Sequence, residues 1–299
     1  MHTDRPLLGI FLMLGFCFVA PLADGISKFL GDSIPVGQIV LARFGIQGIV
    51  LLPVALWLKR TLKMSARLFA LVVLRTLLHI GGVFAMITSL LYLPLADALA
   101  IAFVMPFIML FLGWAFLGET VGWHRFAAVC LGFVGTVMVF QPSFLQVGWP
   151  AVLPLIVAVV FSFFVLVTRQ IANQVDPIAL QAVGGLVALP VLLPLLLWGA
   201  GQEIALLSLI EPDSWQLTLL CAVGLLGTIG HLFMTWSLRF APTATLAPIQ
   251  YAEIPFATLI GWLLFRDFPN GMAALGICLS VAAGIYIIFR EQANARVTS

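Results

Sequence analysis

Polar residues interrupt this chain so rarely that it divides into ten apolar runs, at about residues 6–30, 35–58, 68–92, 95–117, 124–140, 149–170, 177–199, 215–238, 242–265 and 271–289. Each run is near the ~20 residues that an α-helix needs to cross a hydrocarbon core of ~30 Å. The connectors, GDSIP, YLPLAD, RFAPTAT and RDFPNG among them, are too short to hold a folded domain. With 63% of its residues hydrophobic and 9% charged, the chain lacks the polar surface of a soluble protein, where roughly 25% charged residues are usual. A formal net charge of +2 gives no basic face for nucleic acid. No ten-residue polar–apolar alternation is present, so the runs predict helices and exclude the strands of an outer-membrane barrel. The expected fold class is an all-α polytopic membrane protein of ten transmembrane helices, with membrane lipids around it and every functional group in or between the helices.

The first run, from Pro6 to about Leu30, is too long for a signal-peptide core and lacks a small-x-small cleavage site before the next run. It is expected to stay as the first span. Cys17, Cys130, Cys221 and Cys278 all fall inside apolar runs without a C-x-x-C pairing, which makes them packing residues rather than a disulfide or metal framework. Cytoplasmic loops carry the excess of Lys and Arg. If the N-terminus is inside, Arg5, Lys59, Arg60, Lys63, Arg67, Arg125, Arg169, Arg239, Arg290 and Arg296 fall on the inner side, and only Lys28 and Arg266 on the outer. A cell inner-membrane protein with both termini cytoplasmic is expected.

Sliding the chain on itself by 148 residues brings Met86 onto Met234, Ser89 onto Ser237, Pro94 onto Pro242 and Ala96 onto Ala244. In the same register Gly113-Trp114 falls on Gly261-Trp262, Glu119 on Asp267, and Cys130-Leu131 on Cys278-Leu279. This defines two repeats, expected at 1–142 (spans one to five) and 143–299 (spans six to ten with a short C-terminal tail). Five is odd, so the second repeat enters the membrane from the other side. An inverted pair of halves around a shared midplane site is a recurring plan of carriers.

Three stretches carry a family resemblance: DGISKFLGDSIPVGQIVLARF (24–44), YLPLADALAIAFVMPFIMLFLGWAFLGETVGWHRFAAVCLGFVGTVMV (92–139) and APTATLAPIQYAEIPFATLIGWLLFRDFP (241–269). Over about residues 7–290 the chain resembles the drug/metabolite transporter superfamily in its ten-helix form with two EamA domains. The first and third stretches are also similar to members that import riboflavin or S-adenosylmethionine. The resemblance implies a secondary transporter of a small organic metabolite working by alternating access, with riboflavin or a similar planar heterocycle taken up as the first choice. Export of amino acids or drugs by the same fold is the alternative, and a lipid flippase or membrane enzyme a remote one.

Ionisable groups inside spans are costly and usually face the bundle interior or a watery cavity, so the candidate site starts from them. Glu253 is about eleven residues into the ninth span, hence ~16 Å deep at 1.5 Å per residue. It reads either as a structural carboxylate or as one that handles substrate or protons. Gln250 shares its helix face. With Tyr251, Trp236 and Gln47 it supplies amides and flat aromatic rings suited to a planar ligand, although Tyr251 points elsewhere and Trp236 also reads as an interfacial belt residue. His79 and Arg75, four residues apart in the third span, form either a cationic wall or a snorkelling arginine beside a histidine bonded to a carbonyl. His231 in span eight is open to the same two readings, site or structure. Asp24 and Arg43 lie at matching depth and are candidates for a buried ion pair, acting as brace or gate, for which Lys28, one turn from Asp24, competes. Prolines 248 and 255 bracket Glu253 and are expected to kink the ninth span there.

No G-x-x-x-x-G-K, H-E-x-x-H or G-x-S-x-G motif is present, so no enzyme, cofactor or metal is expected. The expected partners are a small-molecule substrate and lipid, in a monomer or homodimer. Energy would come from a proton gradient, from exchange or from the substrate's own gradient. The orientation is checked by labelling a single cysteine placed next to Lys63 with an impermeant thiol reagent: none should react from outside intact cells, and full reaction from outside inverts the topology.

Overall fold

The computed structural model describes residues 5–119, 121–267 and 271–297, and all regular structure in them is helical. The first three spans are α1 (Pro6–Gly31), α2 (Val36–Trp57) and α3 (Ala66–Leu90). The fourth is broken into α4 (Leu95–Ala102) and α5 (Met105–Leu117), and α6 (Trp123–Val147) is the fifth. A 3-10 turn at Trp149–Val152 leads into α7 (Leu153–Ile171), followed by α8 (Pro177–Gly201) and α9 (Ser214–Phe240). The ninth span combines α10 (Thr243–Leu246), a 3-10 segment (Ala247–Ala252) and α11 (Glu253–Phe265), and α12 (Gly271–Val297) is the tenth. Seven of the crossings among the described residues are long and apolar enough to span a bilayer by length and composition. The face at which α1 begins is called here the first face.

Polar residues and prolines set the helix starts. Asp176 caps α8 through the amides of Ile178 and Ala179, and Asp213 and Gln216 form a capping box at α9. Pro35, Pro94 and Pro242 stand at the starts of α2, α4 and α10. Two helices run well past their expected ends, α12 to Val297 rather than 289 and α6 to Val147 rather than 140. Helix α6 runs past residues 142 and 143 to Val147, because the apolar residues after the Gln-Pro pair continue the span, and the link to the next helix is Gly148 in a left-handed conformation (φ 69°).

The 148-residue register reappears as geometry. Helices α5 and α11 each have 13 residues, begin at Met105 and Glu253, and end in left-handed caps at Gly118 (φ 65°) and Arg266 (φ 60°). The main helix pairs join the two halves: α1 lies along α9 and α7 along α3, which are repeat mates of one another, while α2 packs on α8 and α6 on α12. A pseudo-two-fold axis in the membrane plane therefore runs between α2 and α8 and between α6 and α12. The outward surface is apolar, and Trp57, Trp123, Trp149 and Trp215 stand exposed at span ends, where aromatic rings favour the bilayer interface.

Near that axis α2 and α8 touch backbone to backbone. A Cβ on Gly185 would lie 2.5 Å from the amide nitrogen of Gly48 and 2.9 Å from the carbonyl oxygen of Phe44. Small residues permit such approach where helices associate by packing alone. Gly185→Ala should lower the unfolding midpoint in detergent by the equivalent of ~1–3 kcal/mol. Gly201→Ala, at a helix end where nothing lies within 4 Å, should leave the midpoint unchanged.

Candidate functional site

The two broken spans meet inside the bundle. α4 ends at Ala102 and α5 starts at Met105; the register mates of Phe103 and Val104 are Tyr251 and Ala252, which end the 3-10 segment of span nine. The Phe103 and Tyr251 rings lie 5.6 Å apart at this crossing. Pro106 and Pro255, each in the first turn of the helix that restarts, lack an N–H and cost that turn no helical hydrogen bond. Glu253 opens α11, so its carboxylate sits at the positive end of a helix dipole.

Beside this crossing is a cavity whose walls include Met86, Leu99, Asp24 and Arg43 toward the face opposite the first. Met105, Phe103 and Glu253 line its middle, and Phe16, Phe161 and His231 its floor. Its volume is about 60 Å³. The cavity is a narrow one, and a planar metabolite enters only if its walls part.

Asp24 and Arg43 form an ion pair at 3.1 Å with side chains 10% and 6% exposed. The guanidinium lies over the bare Cα of Gly227, where a Cβ would come within 2.7 Å of Nε. Glu253 is 5% exposed, and its carboxylate has no hydrogen-bond or ion-pair partner among the described residues. Asp24 and Arg43 are paired with one another, which leaves Glu253 as the acid of the cavity wall without an ion-pair partner among the described residues.

The floor rests on a denser polar layer. His79 Nε2 and His231 Nε2 are 2.8 Å apart, a bond that needs one ring to donate and the other to accept. The His79 ring stacks on Phe164 at 4.6 Å and meets Phe44 edge-on. One turn away Arg75 is also buried over Phe164, donates from Nε to the Thr168 hydroxyl at 2.9 Å, and leaves Nη2 without a partner. It does not snorkel. The Gln47 amide donates to the backbone and side-chain oxygens of Gln181, at 2.7 and 3.2 Å, and Gln181 donates to the His231 carbonyl and the Thr235 hydroxyl.

Of the residues singled out from sequence, the structure brings Glu253, Asp24 and Arg43 to the cavity, with His231 in its floor. His79, Arg75 and Gln47 are in the layer beneath. Gln250 is fully buried with neither amide atom bonded, because the 3-10 segment places it one turn before Glu253 but outside the cavity wall. Tyr251 is a core residue: its hydroxyl donates to the Val129 carbonyl at 3.3 Å and its ring covers Gly132. Trp236 is half-buried and is not a wall residue. Lys28 does not compete for Asp24; it pairs with Asp267 at 3.2 Å, since the end of α1 faces the end of α11. Phe16, Phe103, Phe161 and Met105 went unseen in sequence because an apolar wall residue looks like any other residue of a span.

A helical inverted repeat with a cavity at two broken spans defines a membrane carrier. The EamA-like transporter family model matches residues 7–141 and 148–290, and the chain belongs to that family. It is 25% identical over 287 residues to the S-adenosylmethionine uptake transporter of Rickettsia prowazekii, covering 96% of this chain and 94% of the relative. It is 30% identical over 222 residues to the riboflavin transporter of Rhizobium johnstonii, covering 74% of this chain and 71% of that one. A solved crystal structure superposes with a TM-score of 0.71 at 19% identity, covering 96% of this chain and 99% of the other.

Removing one member of a buried ion pair strands the other. Asp24→Asn should destabilise the protein by about 3–5 kcal/mol, and adding Arg43→Gln should recover much of that loss. Thermal unfolding of the two single variants and the double variant in detergent checks both statements.

Proposed function

We propose that this protein takes up a planar heterocyclic metabolite across the cell inner membrane by alternating access, with both termini cytoplasmic and the two halves rocking about the crossing of spans four and nine. The observation that carries the reading is the unpaired carboxylate of Glu253 at the restart of a broken span, inside a cavity walled by Phe16, Phe103 and Phe161. Aromatic faces suit a flat ring, and one convergent acid supplies orientation. One chain completes the cavity, so a monomer suffices. Catalysis is not part of this reading.

Riboflavin, the substrate of one relative, is the first choice. S-adenosylmethionine, the substrate of another, is the second, and Glu253 favours it specifically: a buried carboxylate without a counter-ion is matched by a cationic ligand or by a proton. Export of amino acids or drugs is the remaining reading within the same fold.

Uptake of labelled riboflavin and S-adenosylmethionine into proteoliposomes, with and without an imposed pH gradient, separates these. One of the two should accumulate, and expression in a riboflavin auxotroph should lower the vitamin concentration needed for growth if it is the first. Glu253→Gln keeps the shape and removes the charge, and should reduce transport at least tenfold, the order expected when a buried charged contact to the ligand is lost. Unchanged transport and pH dependence in folded protein would leave Glu253 a structural residue.

A further inference from the structure

We infer that two inter-half ion pairs, Glu119 with Arg169 and Asp267 with Lys28, are opposed latches that decide from which side the cavity can be reached; this rests on the carrier reading above. Glu119 and Asp267 are 148 residues apart, each immediately after the left-handed cap that ends its broken span. Their cations occupy the last turns of the first helix of each half, Lys28 in α1 and Arg169 in α7. Each cation also donates to a main-chain carbonyl near the end of its own half's third helix: Lys28 to Leu93, in the turn after α3, at 3.1 Å, and Arg169 to Leu238 in the last turn of α9. Each latch therefore joins a cation and a carbonyl of one half to a carboxylate of the other, on opposite faces.

The two are not equally engaged. Glu119 lies 3.5 Å from Arg169 and also accepts from the backbone amides of Thr243 and Ala244 at 3.1 and 3.0 Å, tying its loop to the start of span nine. Asp267 has only Lys28 among the described residues and is 37% exposed, against 11% for Glu119. The cavity lies toward the face with the looser latch. A register pair reports the same asymmetry, for Met86 is a cavity wall while its mate Met234 is fully buried. Opening toward the first face would break the ion pair and both amide bonds of Glu119 together with the floor bonds that join the halves, Gln47–Gln181, Arg75–Thr168 and His79–His231, whereas opening toward the other breaks the Lys28–Asp267 contact. Since the broken spans carry both carboxylates, movement of either span reaches one latch directly.

The test uses the full-length chain with its native cysteines replaced and its thermal unfolding midpoint in detergent retained, carrying a single cysteine at position 86 or 234. Labelling is by an impermeant maleimide from each face of the membrane in turn. Glu119→Gln and Arg169→Gln should each raise the labelling rate at 234 from the first face about tenfold and slow that at 86, a shift of the size expected when one state loses a partly buried ion pair. Asp267→Asn should do the reverse, leaving 234 sealed and raising the rate at 86. The exchanged pair E119R/R169E restores opposite charges but not the two amide bonds, since a guanidinium cannot accept, and should return both rates only part of the way toward those of the parent. Acceleration at both positions by every variant, or at neither, would make the pairs static braces and overturn the proposal. Because labelling needs no substrate, it reads the latches even if neither metabolite is transported, so failure of the substrate reading remains separable.

Discussion

A bilayer offers no water to an unpaired backbone N–H or carbonyl, so irregular backbone is tolerated only where protein surrounds it. Spans four and nine break under that constraint, at Phe103–Val104 and along Ala247–Ala252, and each break is shielded by the other and by α1, α6 and α7. The remaining long helices form a jacket around these two. The position of the cavity follows from this arrangement: the chain departs from regular helix at the one depth where departure can be covered, and space opens beside the departure.

The distribution of buried charge divides the interior into a stiff half and an adaptable half. Below the cavity, Arg75, His79, Gln47, Gln181, Thr168 and His231 hold one another through aromatic stacking and bonds between 2.7 and 3.2 Å. In the cavity wall itself the polar content falls to one ion pair, one isolated acid and the His231 ring shared with the floor. A densely bonded network favours a single arrangement even with Arg75 Nη2 and His231 Nδ1 unpaired, whereas a sparse apolar wall repacks at little cost. The Gln47–Gln181, Arg75–Thr168 and His79–His231 bonds cross between the halves, so the floor ties the halves together while the upper walls adjust to what enters.

Much of this was legible in the chain. Span limits read from hydropathy agree with the helices to within a few residues at most ends, and the register through Pro94/Pro242 and Gly113/Gly261 marked the repeat, although a kink was expected in the ninth span alone and the matching break in the fourth was not. The Asp24–Arg43 contact followed from depth alone, since two charges at one level in adjacent spans have few other partners. What failed to show was direction around the helix axis. Tyr251 and Gln250 lie within three residues of Glu253, yet the 3-10 geometry turns them from the cavity, and a period of 3.0 in place of 3.6 leaves no mark on composition. Long side chains misled in the same way: Lys28 has enough reach to pass Asp24 and meet Asp267, a residue 239 positions away.

Met105 and Glu253 begin equivalent helices and line one cavity, but one is a thioether and the other an acid. A perfectly duplicated carrier would present the same well to a ligand approaching from either compartment. This one is chemically lopsided, so its inward and outward half-cycles need not share a rate or a half-saturation concentration. Detailed balance still holds. Without a coupled ion, the ratio of maximal velocity to half-saturation must be equal in the two directions, and the lopsidedness acts as a kinetic rectifier near saturation while leaving the final distribution of ligand untouched.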